Sequence, residues 1–294
     1  MVAEQTGAVL EQRAGEVPSL RRIWLCADDY GVSPAVSGAI YDLIERDRLN
    51  ATSVMVVAPS FSRADASSLS KLNADKKRAA IGLHVTLTGR FRPLTKSFKP
   101  STDHLFPDLQ YLLRSALLRQ LDRDCIAAEI RAQLDAFASS FGRAPDFVDG
   151  HQHVHIFPQI RDVFVQEVKR AAPQAWVRQC GRAVSLARRI GDPKGLLLDL
   201  FSSTFRRRAR EFNIVTNPAF AGTYSFVAGV DFAVNFPRFL QGIPDGGLIM
   251  CHPGKVDDEL RRLDPLTDLR EQEYAYFLGN EFPSALNAAG VMLA

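Results

Sequence analysis

Cysteine is scarce in this chain, with four in 294 residues and no pair spaced as CxxC. Cys26, Cys125, Cys180 and Cys251 lie far apart, which argues against a disulfide framework and against a cysteine-ligated zinc site. Cys26 and Cys251 fall inside apolar runs, where buried free thiols are common, so a reducing, cytoplasmic setting is expected. Long hydrophobic runs are also missing: nothing approaches the ~20 residues that span a bilayer. Met1 to Leu20 has no basic segment leading into an apolar one, so residues 1–20 read as a flexible tail and not as a signal peptide. Charge of one sign is not in excess either. Lys+Arg 36 against Asp+Glu 33 leaves +3, too little to imply a nucleic-acid partner. No glycine-rich loop follows the first strand pattern, which weighs against dinucleotide or P-loop chemistry. There is no internal repeat and no low-complexity segment.

What is present is an alternation of strand and helix patterns. Arg22–Ala27 is a continuous apolar run, as in a strand covered on both faces. It ends at Asp28-Asp29-Tyr30-Gly31, and Ser33-Pro34 then supplies an N-cap and an N1 proline. Further strands are expected at Thr52–Val57, Ala80–Thr86, Pro145–Val148, Ala175–Arg178, Phe212–Thr216, Gly247–Cys251 and Val291–Leu293. Helices are expected at Ser62–Leu72, Asp124–Phe141, Gln159–Arg170, Lys194–Arg210 and Leu266–Leu278, each with an apolar stripe at helical spacing. This order predicts an α/β fold with a parallel sheet, a TIM-like (β/α) barrel, regular or distorted, spanning 21–294 as one domain. The stretch 87–122, broken by Gly89, Pro93, Pro100 and Pro107, is too long for an ordinary connection and reads as an insertion that serves the substrate.

The chemistry concentrates where strands end. Asp149-Gly150-His151-Gln152-His153-Val154-His155 holds three of the six histidines, directly after a strand. Asp28 and Asp29 follow the first strand, His84 lies in the third, and His252-Pro253-Gly254 follows the seventh. In a barrel these ends converge on one face. One carboxylate and two imidazoles with open positions form a recurring hydrolytic metal centre, which acidifies water and polarises a carbonyl. Asp28 and Asp29 can divide the work, one as ligand and one as base. His252, from a different strand, is a candidate acid for the leaving group, and Asp149 can hold a histidine's other ring nitrogen. Plainer roles stand beside these. Either aspartate can cap the following helix, His84 can be a hydrogen-bonded core histidine, and His252 a turn residue. Arg178 can meet substrate or pair with an acid. Arg270 and Glu273, one helical turn apart, read as a surface ion pair.

Four ordered motifs also resemble a known family. Ala27–Gly31, Ile81–Thr88, Asp149–His155 and Met250–Gly254 are similar to the YdjC-like carbohydrate deacetylases, also called the ChbG/HpnK group, over about Arg22 to Leu278. The resemblance implies a barrel of the glycoside hydrolase/deacetylase type that removes an acetyl group from an N-acetylated sugar, such as a chito-oligosaccharide. It implies Asp29, His84 and His151 as metal ligands, Asp28 as the adjacent catalytic aspartate, and magnesium as the metal. Two imidazoles also suit zinc. His153 and His155 match family positions without individual roles. Other readings stay open: a phosphoester hydrolase using the same metal, or a deacetylase of a lipid-linked, hopanoid-type amino sugar. The leucine-rich, arginine-ended stretch from Lys194 to Arg210 would suit the latter by peripheral contact with an anionic membrane. Its first reading is a barrel helix with a solvated basic end. The expected oligomer is a monomer or a homodimer.

Overall fold

A computed structural model describes residues 20–96, 98, 103–182, 193–225 and 229–294. The expected tail lies outside these residues, apart from Leu20. The long first strand, β1 (Arg21–Tyr30), is the hub of a wholly parallel eight-stranded sheet. Its neighbours on one side are β2 (Ala51–Val54), then β3 (Ala80–Val85), β4 (Phe147–Gly150) and β5 (Trp176–Val177). On the other side lie β7 (Leu248–Cys251) and then β6 (Phe220–Ala221), while β8 (Val291–Leu293) pairs with the first residues of β1. Isolated bridges, Arg182 to Phe220 and Val177 to Thr216, join the two ends of this order. The result is the expected α/β barrel, distorted where β5 and β6 shorten to two residues each.

Helices cover the sheet. Among the described residues they are α1 (Pro34–Glu45), α2 (Arg63–Leu72), α3 (Leu109–Leu117), α4 (Arg123–Phe141), α5 (Ile160–Ala171), α6 (Pro193–Glu211), α7 (Phe232–Leu240), α8 (Asp258–Leu263), α9 (Asp268–Leu278) and α10 (Glu281–Ala289). Ser33 caps α1 by accepting from the Val36 N–H, followed by Pro34 in the first turn. Neither Asp28 nor Asp29 caps that helix. The expected strand at Phe212–Thr216 does not form: Asn213 turns with φ 52°, Val215 is 72% exposed, and only Thr216 makes a bridge. β6 comes later, at Phe220. Of the expected insertion at 87–122, residues 97 and 99–102, Pro100 among them, lie outside the described residues; the described part contains α3. Fully buried Glu129 on α4 accepts from the Leu94 and Thr95 N–H groups and from Thr95 Oγ1. Gln133, one turn on, pairs with both backbone groups of Thr86.

Inward side chains stack in layers, as a filled barrel requires. Trp24 of β1 meets Trp176 of β5 at 5.9 Å across the interior, and Phe147 stacks on Trp176 at 4.4 Å. Gly82 makes room for Phe147: a Cβ there would sit 2.5 Å from the ring. Two residues further along the same strands, the period-two alternation brings Cys26, Asp28, His84, Asp149 and Arg178 to the next levels. The aromatic layer is thus the floor of a polar one.

Candidate active site

Successive strand residues normally point to opposite faces, yet Asp28 and Asp29 both enter the interior and both are buried. The cause is local. The register of β1 on β2 shifts between Ala27 and Tyr30, and Asp29 adopts φ 67°. A bulge of this kind re-aims one side chain, and aspartate tolerates the left-handed region better than most residues. The histidine stretch uses the same device. His151–Ile156 winds as a 3₁₀ turn with Gln152 and His153 at φ 53° and 59°, which separates the three rings instead of clustering them.

Asp29, His84 and His151 come together, each offering one ligand atom, all within 4.8 Å of one another. Asp29 Oδ1 lies 3.3 Å from His84 Nε2 and 3.1 Å from His151 Nδ1. Its other oxygen accepts from Arg270 at 2.7 Å. His84 donates from Nδ1 to Asp149 Oδ1 at 2.6 Å, with Ser53 Oγ 3.0 Å away. Such a carboxylate partner fixes the ring and leaves Nε2 to the centre.

Behind this trio stands a second set of charges. Arg178, fully buried, holds Asp28 with two bonds of 2.6 and 2.5 Å and pairs with Asp149 Oδ2 at 2.5 Å. Of the two readings offered by the sequence, Arg178 therefore takes the acid-pairing one. Cys26, Asp28 and Asp149 could themselves surround a cation, and the guanidinium occupies that place. His155 is buried against Phe164 and Phe205, and its Nε2 donates to the Arg178 carbonyl at 2.8 Å. It supports the arginine and does not face the cleft. His153 is half-buried, edge-on to Phe220, with Nδ1 3.6 Å from Cys180 Sγ.

The expected surface pair of Arg270 and Glu273 is a correction. Both are fully buried, and they serve different partners. Arg270 bridges Asp29 and Asp264. Glu273 accepts from the Tyr224 hydroxyl at 2.6 Å and from the His252 backbone N–H at 2.5 Å, which fixes the turn after β7. Helical spacing did contain a clue. Arg270 and Glu273 share a stripe with Phe277, so a buried face runs through them. Ser53 and Tyr224 carried no signal in the sequence.

Electrostatics follow from this packing. Burial alone would raise the Asp28 carboxyl, but the charge and hydrogen bonds of Arg178 outweigh it and hold Asp28 well below the usual range. Asp29 is lowered in the same way by Arg270 and His151, against burial. For His84, burial is overcome by the charges of Asp149 and Asp28, which push it up to about 10. His252 is lowered by burial, with Arg270 adding to it and Asp29 opposing. His153 falls to about 3 through burial and Arg178. Burial raises Glu273 to about 7. Asp28, Asp29, Asp149 and, on the far side of Arg270, Asp264 share two guanidiniums, so negative charge is in excess at the centre and favours the charged form of His84. One oxygen and two imidazole nitrogens converging on that excess fit a divalent ion.

An α/β barrel with carboxylate and imidazole groups gathered at its strand ends belongs to the class of barrel enzymes that work on that face. More particularly, the chain belongs to the YdjC-like protein family, whose pattern matches residues 22–288. A chitooligosaccharide deacetylase from Yersinia pestis is 28% identical over 240 residues, covering 80% of this chain and 82% of the relative. Among solved structures, an Enterococcus faecalis protein provisionally described as a cellobiose-phosphate cleavage protein superposes with a TM-score of 0.72. It is 21% identical, with 94% of this chain and 97% of that one covered. A lactam utilization protein from Thermus thermophilus gives a TM-score of 0.50 at 16% identity, covering 92% and 98%.

Proposed function

We propose that this protein is a metal-dependent deacetylase that cleaves the acetamide of an N-acetylated sugar, with chito-oligosaccharides as the first substrate class to test. The observation that carries the reading is the trio Asp29, His84 and His151 at the strand ends, with Asp28 buried behind it and His252 within electrostatic reach of both aspartates. Asp29, His84 and His151 would hold a divalent cation, magnesium by family resemblance and zinc by ligand type. When bound, that ion would polarise the acetyl carbonyl and make water more acidic.

The chain's own groups account for the protons. Arg178 keeps Asp28 in the ionised form that a base for the attacking water must have, and in doing so makes it a weak base. The amide C–N bond breaks as His252 delivers a proton to the departing nitrogen. Its lowered pKa makes its protonated form a strong donor. Asp149 holds His84 in orientation, and His155 holds the backbone of Arg178. The products are acetate and a free amino sugar.

The test is acetate release from short chito-oligosaccharides with magnesium, manganese, cobalt or zinc supplied in turn. Activity should disappear on chelation and in Asp29→Ala. In His252→Ala it should fall by a factor of about 10² to 10⁴, while metal uptake is kept. Phosphate release from phosphoesters, with no acetate from any sugar, would replace this reading with a phosphoester hydrolase.

A further inference from the structure

Single exposed leucines are ordinary on protein surfaces, but here they gather. Of the eleven large exposed hydrophobics among the described residues, six lie on or just after two helices: Tyr111, Leu117 and Leu118 on or just after α3, and Leu196, Leu197 and Leu200 in the first half of α6. Both segments follow strand C-termini, after β3 and β5, and both helices pack against the His151–Ile156 turn. Phe157, next to that turn, meets Phe201 of α6 at 5.8 Å. The leucines therefore border the face that holds the site.

The same rim is basic. Along α6 the outward stripe runs Leu196, Leu200, Ser203, Arg207 and Arg210, while Phe205 and Ala209 point to the core. Arg119 follows Leu118 directly, and Arg161 at the start of α5 lies within electrostatic reach of both Arg119 and Arg207. A cavity of about 230 Å³ opens among Arg161, Thr204 and Arg207. The carboxylates beside it, Asp162 and Glu211, are engaged by Arg208. Among the described residues Arg119, Arg161 and Arg207 have no carboxylate in ion-pair range. The charge of Asp162 acts on Arg161 as well, so the rim keeps a net positive excess carried by Arg119 and Arg207.

We infer that this rim docks on an anionic lipid surface. The leucines of α3 and α6 would enter the boundary between headgroups and acyl chains, and Arg119, Arg161 and Arg207 would meet lipid phosphates. A second copy of the chain is the poorer occupant, because a two-fold contact through this face would bring two copies of the same positive patch into one interface. Docked in this way, the barrel mouth faces the membrane.

Co-sedimentation of the full chain with phosphatidylcholine vesicles, with and without about a third phosphatidylglycerol, tests this. Binding is expected on the anionic vesicles and should weaken as sodium chloride rises from about 0.05 to 0.5 M. It should fall roughly tenfold in Leu196→Ser/Leu200→Ser and in Arg119→Glu/Arg207→Glu, with thermal midpoints unchanged because all four side chains are at the surface. Absence of binding to the anionic vesicles overturns the inference, and so does equal binding by the variants. A wild-type dimer that Leu200→Ser dissolves would reassign the face to self-association.

Discussion

At the scale of single residues, the site is governed by charges that cannot reach water. Arg178 is the plainest case, because both of its carboxylate partners are buried with it. Arg178→Met keeps the volume and removes the cation, stranding Asp28 and Asp149. Breaking a buried pair in this way costs about 3 to 5 kcal/mol. A loss below about 1 kcal/mol in urea unfolding would refute this account of the pair. Glu273 gives a pH signature. Its folded pKa, about 7, lies above the usual value of 4.5, so between these limits the unfolded chain has released its proton and the folded chain has not. The unfolded state then binds fewer protons, and stability falls as pH rises through that window. Glu273→Gln should remove this part of the decline, by up to a few kcal/mol. Urea midpoints at pH 5 and pH 7, compared between the two proteins, read it directly; equal declines would refute the assignment.

Elements matter where one piece of the chain sets another. Glu129 and Gln133 on α4 reach across to the segment after β3 and supply the hydrogen bonds that its irregular backbone lacks. Glu129→Ala leaves the Leu94 and Thr95 N–H groups without an acceptor, at a cost of about 1 to 3 kcal/mol. Faster hydrogen exchange confined to the residues around 94–95 is the expected outcome. Unchanged protection there would show that the loop is held by something else. Between β3 and β4 the constraint is one of space. Gly82→Ala drives a methyl group into the Phe147 ring, and overpacking of this kind costs about 1 to 3 kcal/mol.

For the molecule as a whole, the site is a meeting of strands. Asp29 comes from β1, His84 from β3 and His151 from the turn after β4, with Arg270 from α9 behind them. An ion that binds only this assembled arrangement stabilises the folded chain by mass action, about 2.7 kcal/mol at a hundredfold excess over Kd. Magnesium or zinc should therefore raise the thermal midpoint by several degrees, reversibly with chelator. Asp29→Ala should lose the shift, and a shift that persists in that variant would place the ion elsewhere.

The sequence alone determined much of this. Hydrophobic runs with period two and stripes with period 3.6 are local consequences of backbone geometry, so the parallel α/β barrel was legible. So was the gathering of Asp28, Asp29, His84, His151 and His252, because the motifs fall at strand ends and a barrel brings those ends together. Tertiary structure decided which neighbours of like chemistry diverge. The bulge at Asp29 turns two adjacent aspartates to different partners, and the left-handed pair Gln152 and His153 sends three histidines three ways. It also decided that Arg178, Arg270 and Glu273 lie inside. Local pattern assigns a charged residue to the surface by its solvation cost, and only a partner distant in sequence offsets that cost. The lack of paired cysteines, of a glycine-rich loop after the first strand and of long apolar runs excluded other chemistries. The excess of negative charge around Asp28, Asp29 and Asp149 became visible only once the barrel had closed around it.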